Sequence, residues 1–297
     1  MAGELALLKN GKLKMERSAC LLFQCTDKIG IIAELVGFLK DHQVSISRFE
    51  EYTDQQYFFA RLEWRGDHPW KTVDAFDAAF QPVADKFARS GHRVHFFDEP
   101  QRLGLFASKE PHALIEALNK AEAGDYPNTE ICFLVSNSRS IEKYAARHSI
   151  PYYFIKTFKD PAKHEATQLE VIHRYRPDVI GLARYMKILT ADFIAAANCP
   201  IVNIHHSFLP SFIGAKPYEL AYQRGVKLIG ATSHYVIPAL DQGPIIEQGV
   251  IRVEPGDSVE HMKKIGRDVE KQVFAKALEK VLQHKTITYE NKTIVFN

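Results

Sequence analysis

Residues Cys199–His206 read CPIVNIHH, an apolar run that ends in an asparagine and two adjacent histidines. Four similar short apolar runs precede it: RLGLFAS (102–108), EICFLVSN (130–137), PYYFIK (151–156) and PDVIGLARYM (177–186). Helix-like stretches separate them, among them HALIEALNKAEAG, SIEKYAARHS and HEATQLEVIHRYR. Strands that are apolar on both faces and alternate with helices predict an α/β domain with a doubly wound, mostly parallel, Rossmann-like sheet. Ligands of such open sheets bind outside the carboxyl ends of the strands. The polar end of CPIVNIHH falls at that place.

The N-terminal part has a different rhythm. SACLLFQCTDKIGIIAELVGFLKDHQ opens with an apolar run that breaks at Thr26-Asp27, and Asp27 is a natural N-cap. Ile32, Leu35, Val36 and Leu39 then fall at i, i+3, i+4 and i+7, the stripe of an amphipathic helix. VSISRFEEYTDQQYFFARLEW reads as two strands around a turn at Asp54-Gln55, with Phe58, Ala60, Leu62 and Trp64 alternating with Tyr57, Phe59, Arg61 and Glu63. A helix over 70–89 and the strand HRVHFFDE complete a ferredoxin-like βαββαβ order. A sheet covered by helices on one face leaves the other, with Tyr57 and Phe59, to stay wet, bind a partner or dimerise. The polar DEPQR, Asp98–Arg102, marks the boundary, which gives domains of 18–99 and 103–297. After the sheet, a long helix is expected from Asp257, with Glu260 completing a capping box and Met262, Ile265, Val269 and Val273 buried. A hairpin around Glu290-Asn291 follows.

Composition excludes several functions. With 46% hydrophobic and 25% charged residues and a net charge of +2, the chain reads as an ordinary globular protein without a basic nucleic-acid face. No window approaches the ~18 apolar residues of a membrane span. MAGELALLKNGKLKMERS lacks the apolar centre of a signal peptide and reads as a short polar leader. Cys20, Cys25, Cys132 and Cys199 form no CxxC pair and read as buried free thiols of a cytoplasmic protein. No Cys/His spacing suggests a metal, and neither GxGxxG nor GxxxxGK[ST] occurs. HEATQ at His164 lacks the second histidine of a zinc-protease helix.

The chemistry-bearing residues cluster late in the chain. Asn203 and His205 are two apart and share one face of a strand, while His206 points the other way. An asparagine amide can donate to a developing oxyanion, and a neutral histidine can relay a proton near pH 7. Downstream, Asp241 precedes the Gly243-Pro244 turn. It serves either as an Asx-turn residue or as the carboxylate that orients His205.

NIHHSFLP, GAKPYELAYQRGVKLIGATSHYV and LDQGPII together resemble the folate-dependent formyl-transfer family, from Leu103 to the C-terminus. The resemblance implies that Asn203, His205 and Asp241 process the formyl group of 10-formyltetrahydrofolate, which is the substrate, so that no separate cofactor is expected. It also implies that backbone groups of Met186, Lys187, Ile188 and Leu189, with the loop from Val236 to Asp241, hold the pterin. Lys216 and Tyr218 either line the mouth of the cleft or are solvated loop residues. The stretch LFASKEPHAL (105–114) contains no glycine, so the phosphate nest of the glycinamide ribonucleotide transformylases is missing. The N-terminal module is similar to an ACT domain, which implies an amino-acid effector near Asp27 and Gly30 and a homodimer or homotetramer. An ACT domain followed by a formyl-transfer domain resembles the formyltetrahydrofolate deformylases, in which water replaces the amine. The alternatives are transfer to an amine acceptor, and a non-catalytic amino-acid sensor that kept the fold.

Overall fold

The computed structural model describes residues 5–7, 13–15, 18–158, 160–211 and 217–297. Two short strands, β1 (Leu5–Leu7) and β2 (Leu13–Met15), pair antiparallel. The chain then divides into two compact units. One runs up to Pro100 and includes Ile294–Asn297; the other spans Gln101–Thr293. The last four residues, expected in the second domain, therefore group with the first.

The first unit contains β3 (Ser18–Thr26), α1 (Ile31–Asp41), β4 (Ser45–Asp54), β5 (Tyr57–Arg65), α2 (Val73–Ala84) and β6 (Gly91–Phe96). Its antiparallel sheet has the order β4-β5-β3-β6. Phe23, Leu35, Leu39, Leu62, Trp64, Phe76 and Phe80 are buried in one core. Three expectations need correcting. The N-cap of α1 is Gly30, at φ 97°, without a side-chain cap bond, rather than Asp27. That left-handed turn rotates the helix so that Ile31 and Phe38 join Leu35 and Leu39 inside, while Ile32 is exposed. The second helix starts only at Val73, because Thr72 caps it by accepting from Ala75 N, and it ends at Ala84. Finally, Phe59 and Arg61 are buried within the chain, so the second face of the sheet is not bare.

The second unit contains β7 (Gln101–Ala107), α3 (His112–Glu122), β8 (Thr129–Ser136), α4 (Glu142–Arg147), β9 (Tyr152–Phe154), α5 (Pro161–Tyr175), β10 (Val179–Ala183), α6 (Ala191–Ala197), β11 (Ile201–His205), α7 (Pro217–Arg224), β12 (Leu228–Tyr235), β13 (Ile245–Arg252), α8 (Val259–Leu282) and β14 (Thr286–Tyr289), whose hairpin partner β15 (Lys292–Val295) begins in this unit and ends in the first. Its sheet has the order β13-β12-β11-β10-β7-β8-β9. From β11 to β9 every pairing is parallel; β12 and β13 add antiparallel. Alternate residues of β7 feed opposite cores: Leu103 and Leu105 pack with Leu114, Phe274 and Leu278, whereas Phe106 packs with Phe133, Ile180 and Phe193. Helices thus cover both faces, as doubly apolar strands require. The chain winds outward from β7 through β9, then restarts at β10 on the other side. The switch point lies between β7 and β10, with the end of β11 beside it.

At α8 the N-cap is Ser258, accepting from His261 N at 3.2 Å, so the helix begins later than Asp257 and the expected Glu260 box does not form. All four cysteines are free thiols; Cys20, Cys25 and Cys132 are buried.

Candidate active site

Four side chains meet beside the carboxyl end of β11. Asn203 and His205 project together from alternating positions of the strand. Antiparallel pairing sets His234 of β12 opposite Asn203. Beyond Tyr235 the chain doubles back, with Tyr235 N donating to Pro244 O at 2.9 Å. A side chain at Gly243 could not pass here, since a Cβ would lie 1.7 Å from Tyr235 O. The tight return places Asp241, at φ 54°, against both imidazoles. Its Oδ2 stands 3.3 Å from His205 Nδ1 and its Oδ1 3.7 Å from His234 Nε2.

These contacts assign protons. The hydrogen bond from His205 holds the Asp241 carboxyl well below the usual carboxylate range. An ionised carboxylate only accepts, so His205 Nδ1 carries a proton toward it. His205 Nε2 is buried and has no hydrogen-bond partner among the described residues. In the neutral ring that nitrogen is a bare acceptor. His234 Nδ1 donates to Tyr235 O at 2.9 Å, leaving Nε2 to accept from Asn203 Nδ2 at 3.4 Å. One amide proton of Asn203 is thereby held and the other remains free to donate. A relay base, a carboxylate behind it and a neutral donor suit addition of a nucleophile to a carbonyl.

A second polar cluster lies behind this one. His206, expected to face away, instead stacks on His205 with ring centroids 5.0 Å apart at 27°. The strand ends at His205, so its two-residue alternation no longer governs the next side chain. Arg184, the residue after β10, donates from Nη1 to His206 Nδ1. Tyr218 is not a residue of the cleft mouth: it is buried on α7 and donates to Glu270 Oε1 at 2.6 Å. Gly266 of α8 makes room for it, because a Cβ there would sit 2.1 Å from the phenol oxygen. Lys216 lies outside the described residues. Neither His234, Arg184, His112 nor Glu270 stood out in the sequence.

The segment after β10 is tied to the residue that follows β7 by Met186 N donating to Ser108 Oγ at 3.0 Å. Met186 and Ile188 are exposed and Lys187 is half-buried, whereas Leu189 and Val236 pack in the same apolar cluster. In the first unit, Asp27 and Gly30 line a cavity of about 240 Å³ with Lys28, Glu51 and Thr53. Among the described residues, no group of three His, Cys, Asp or Glu side chains is arranged to hold a metal ion. No helix among them is long and apolar enough to cross a membrane.

Residues 101–278 match the family described as formyl transferase. The formyltetrahydrofolate deformylase of Bacillus subtilis (strain 168) is 44% identical over 281 residues, 93% of each chain. The chain belongs to the formyltetrahydrofolate deformylase family. A solved deformylase from Pseudomonas syringae pv. tomato, 40% identical, superposes over 95% of both chains with a TM-score of 0.90. A phosphoribosylglycinamide formyltransferase from Anaplasma phagocytophilum, 30% identical, covers 67% of this chain and 96% of its own, with a TM-score of 0.60. Deformylase likeness thus spans nearly the whole chain, and transformylase likeness about two thirds of it. At the end of β7 this deformylase-family chain runs through Ser108-Lys109-Glu110 to a Pro111 cap, without the glycines of a phosphate nest.

Proposed function

We propose that Asn203, His205 and Asp241, with His234 behind them, hydrolyse the formyl amide of 10-formyltetrahydrofolate to tetrahydrofolate and formate. The observation that carries this reading is the buried His205 Nε2, without a partner among the described residues while Nδ1 is committed to Asp241. Water attacks the formyl carbon as Nε2 takes its proton, and Asp241 offsets the charge gained by the ring. The carbonyl oxygen becomes an oxyanion that accepts from the free amide proton of Asn203. One such donor is typically worth ~10²–10³ in rate. As the C–N bond breaks, His205 returns the proton to the departing N10 nitrogen, and formic acid leaves and loses its remaining proton to solvent as formate. Backbone groups of Met186–Leu189 and of the Val236–Asp241 loop hold the pterin, and no separate cofactor is assigned. The reaction belongs in the cytoplasm, where it supplies formate for purine synthesis and balances the one-carbon folate pools.

The deciding experiment incubates the protein with 10-formyltetrahydrofolate and no amine and measures formate. Formate released at a catalytic rate supports hydrolysis. Turnover that waits for an added amine means a transferase.

The first unit is assigned, by its βαββαβ order and the cavity at Asp27 and Gly30, as an ACT domain that binds a small amino acid and joins chains into a dimer or tetramer. Light scattering of the intact chain, with and without glycine or methionine, tests both halves. A monomer, or an oligomer and an activity indifferent to either amino acid, would refute the assignment.

A further inference from the structure

Glu270 is a carboxylate at 1% exposure in the middle of α8, and hydrolysis as described above makes no use of it. Three other elements supply its partners. His112 Nε2 at the start of α3 lies at 2.8 Å, Tyr218 Oη of α7 at 2.6 Å, and Arg184 Nε at 3.3 Å. Burial alone would raise the Glu270 carboxyl. The hydrogen bond from His112, the charges of Arg184 and His112 and the bond from Tyr218 outweigh burial and hold it below its ordinary value. The buried, ionised carboxylate pairs with Arg184 by charge at 3.3 Å, without a hydrogen bond from Nε among the described residues. The other end of that guanidinium reaches His206 Nδ1, and His206 stacks on the reacting His205.

Arginine has no acceptor, so the Arg184–His206 contact is arginine donating to a bare ring nitrogen. Protonating that nitrogen would break the bond and set two cations side by side. Among the described residues, the charged or titratable groups around His206 bear on this: Arg184 beyond β10, His205 on β11, Asp241 beyond β12, Tyr218 on α7 and Glu270 on α8. Burial and then the Arg184 charge push the His206 imidazole down to about 4. His205, by contrast, becomes cationic in each turnover, and a second cation stacked on it would oppose that step.

We propose that Arg184, countered by Glu270, is a positioning residue that pins His206 as a neutral ring against His205, leaving the positive charge of turnover to His205 alone. The proposal rests on the hydrolytic reading for its kinetic consequence, but its structural core is independent of the substrate.

The experiment compares wild type with Arg184→Met, following the His206 ring carbon by NMR from pH 5 to 8. In parallel, kcat/KM for formate release is measured over the same range. In wild type His206 should not titrate and the acid limb should follow one ionisation. In the variant the His206 titration should rise toward the ordinary imidazole range, held short of it by the burial that remains. The acid limb of log kcat/KM should then steepen from a slope of about one toward about two, as a second essential ionisation enters. Arg184→Lys, which keeps a cationic donor, should restore the shallow limb. A His206 that stays silent in Arg184→Met, or titrates without changing the limb, overturns the proposal. Should Arg184→Met fail to fold, Glu270→Gln keeps Arg184 but removes its countercharge. The acid limb should then move to lower pH, and an unmoved limb overturns the proposal as well. Wild type that releases no formate refutes the hydrolytic reading, while the NMR titration still decides the state of His206.

Discussion

Asp241 Oδ2 stands 3.3 Å from His205 Nδ1 and thereby fixes which nitrogen of that ring is left for chemistry. The carboxylate also sits 3.7 Å from His234, so one anion lies between two imidazoles. Its removal should be felt in the transition state, where His205 is charged, more than in the bound ground state. Asp241→Asn keeps the shape and removes the charge. We expect kcat to fall by about 10²–10⁴ with KM nearly unchanged. Steady-state kinetics checks this; a raised KM at constant kcat would place Asp241 in substrate binding.

Asn203 contacts His234, and His205 and His234 both flank Asp241, so the groups serve one reacting carbonyl together and their substitutions should not add. Asn203→Ala should cost about 10²–10³ in kcat. His205→Ala should cost at least as much, and the double variant little more than the worse single one. His234→Ala leaves the Asn203 amide unheld. Its loss should shrink nearly to nothing when measured in an Asn203→Ala background, a double-mutant cycle that tests the 3.4 Å contact directly.

Gly243→Ala tests the return that delivers Asp241. The added methyl would lie 1.7 Å from a backbone oxygen, which cannot swing away as a side chain can. The variant should lose roughly 1–3 kcal/mol of stability. It should also lose most of its activity, because the loop must shift with the carboxylate on it. Thermal melting and formate release measure the two effects; a variant of wild-type stability and rate would refute the geometry.

Acid should destabilise the fold before the carboxylates protonate. His95 and His206 are each pushed down by burial, then by nearby arginine charge, to about 4 from an ordinary 6.5. Between those values the unfolded chain binds protons that the folded chain refuses. Stability from these rings is therefore complete above about 6.5 and falls as the pH drops toward 4. The loss is on the order of 2–3 kcal/mol for each ring. Denaturant unfolding at pH 7.5 and 5 checks the sign; greater stability at pH 5 would contradict it.

Much of this protein was legible in the order of its residues. Periodicity is local, so the alternation of apolar runs with helical stretches was enough for the doubly wound sheet, and βαββαβ was enough for the antiparallel one. Asn203 and His205 were readable because two-residue spacing on a strand fixes a shared face. Other features depended on backbone turns with little periodic signal. Gly30 displaced Asp27 as the helix cap, and the end of β11 turned His206 onto its neighbour. Only the tertiary structure decided the partners that come from distant elements. His234 faces Asn203 through strand register, which a separation of 31 positions does not encode locally. Glu270 sat unnoticed in a helical stripe because burying a carboxylate is unfavourable by itself. What makes it tolerable is the simultaneous arrival of His112, Arg184 and Tyr218, residues 158, 86 and 52 positions away in the chain, and only folding brings them together.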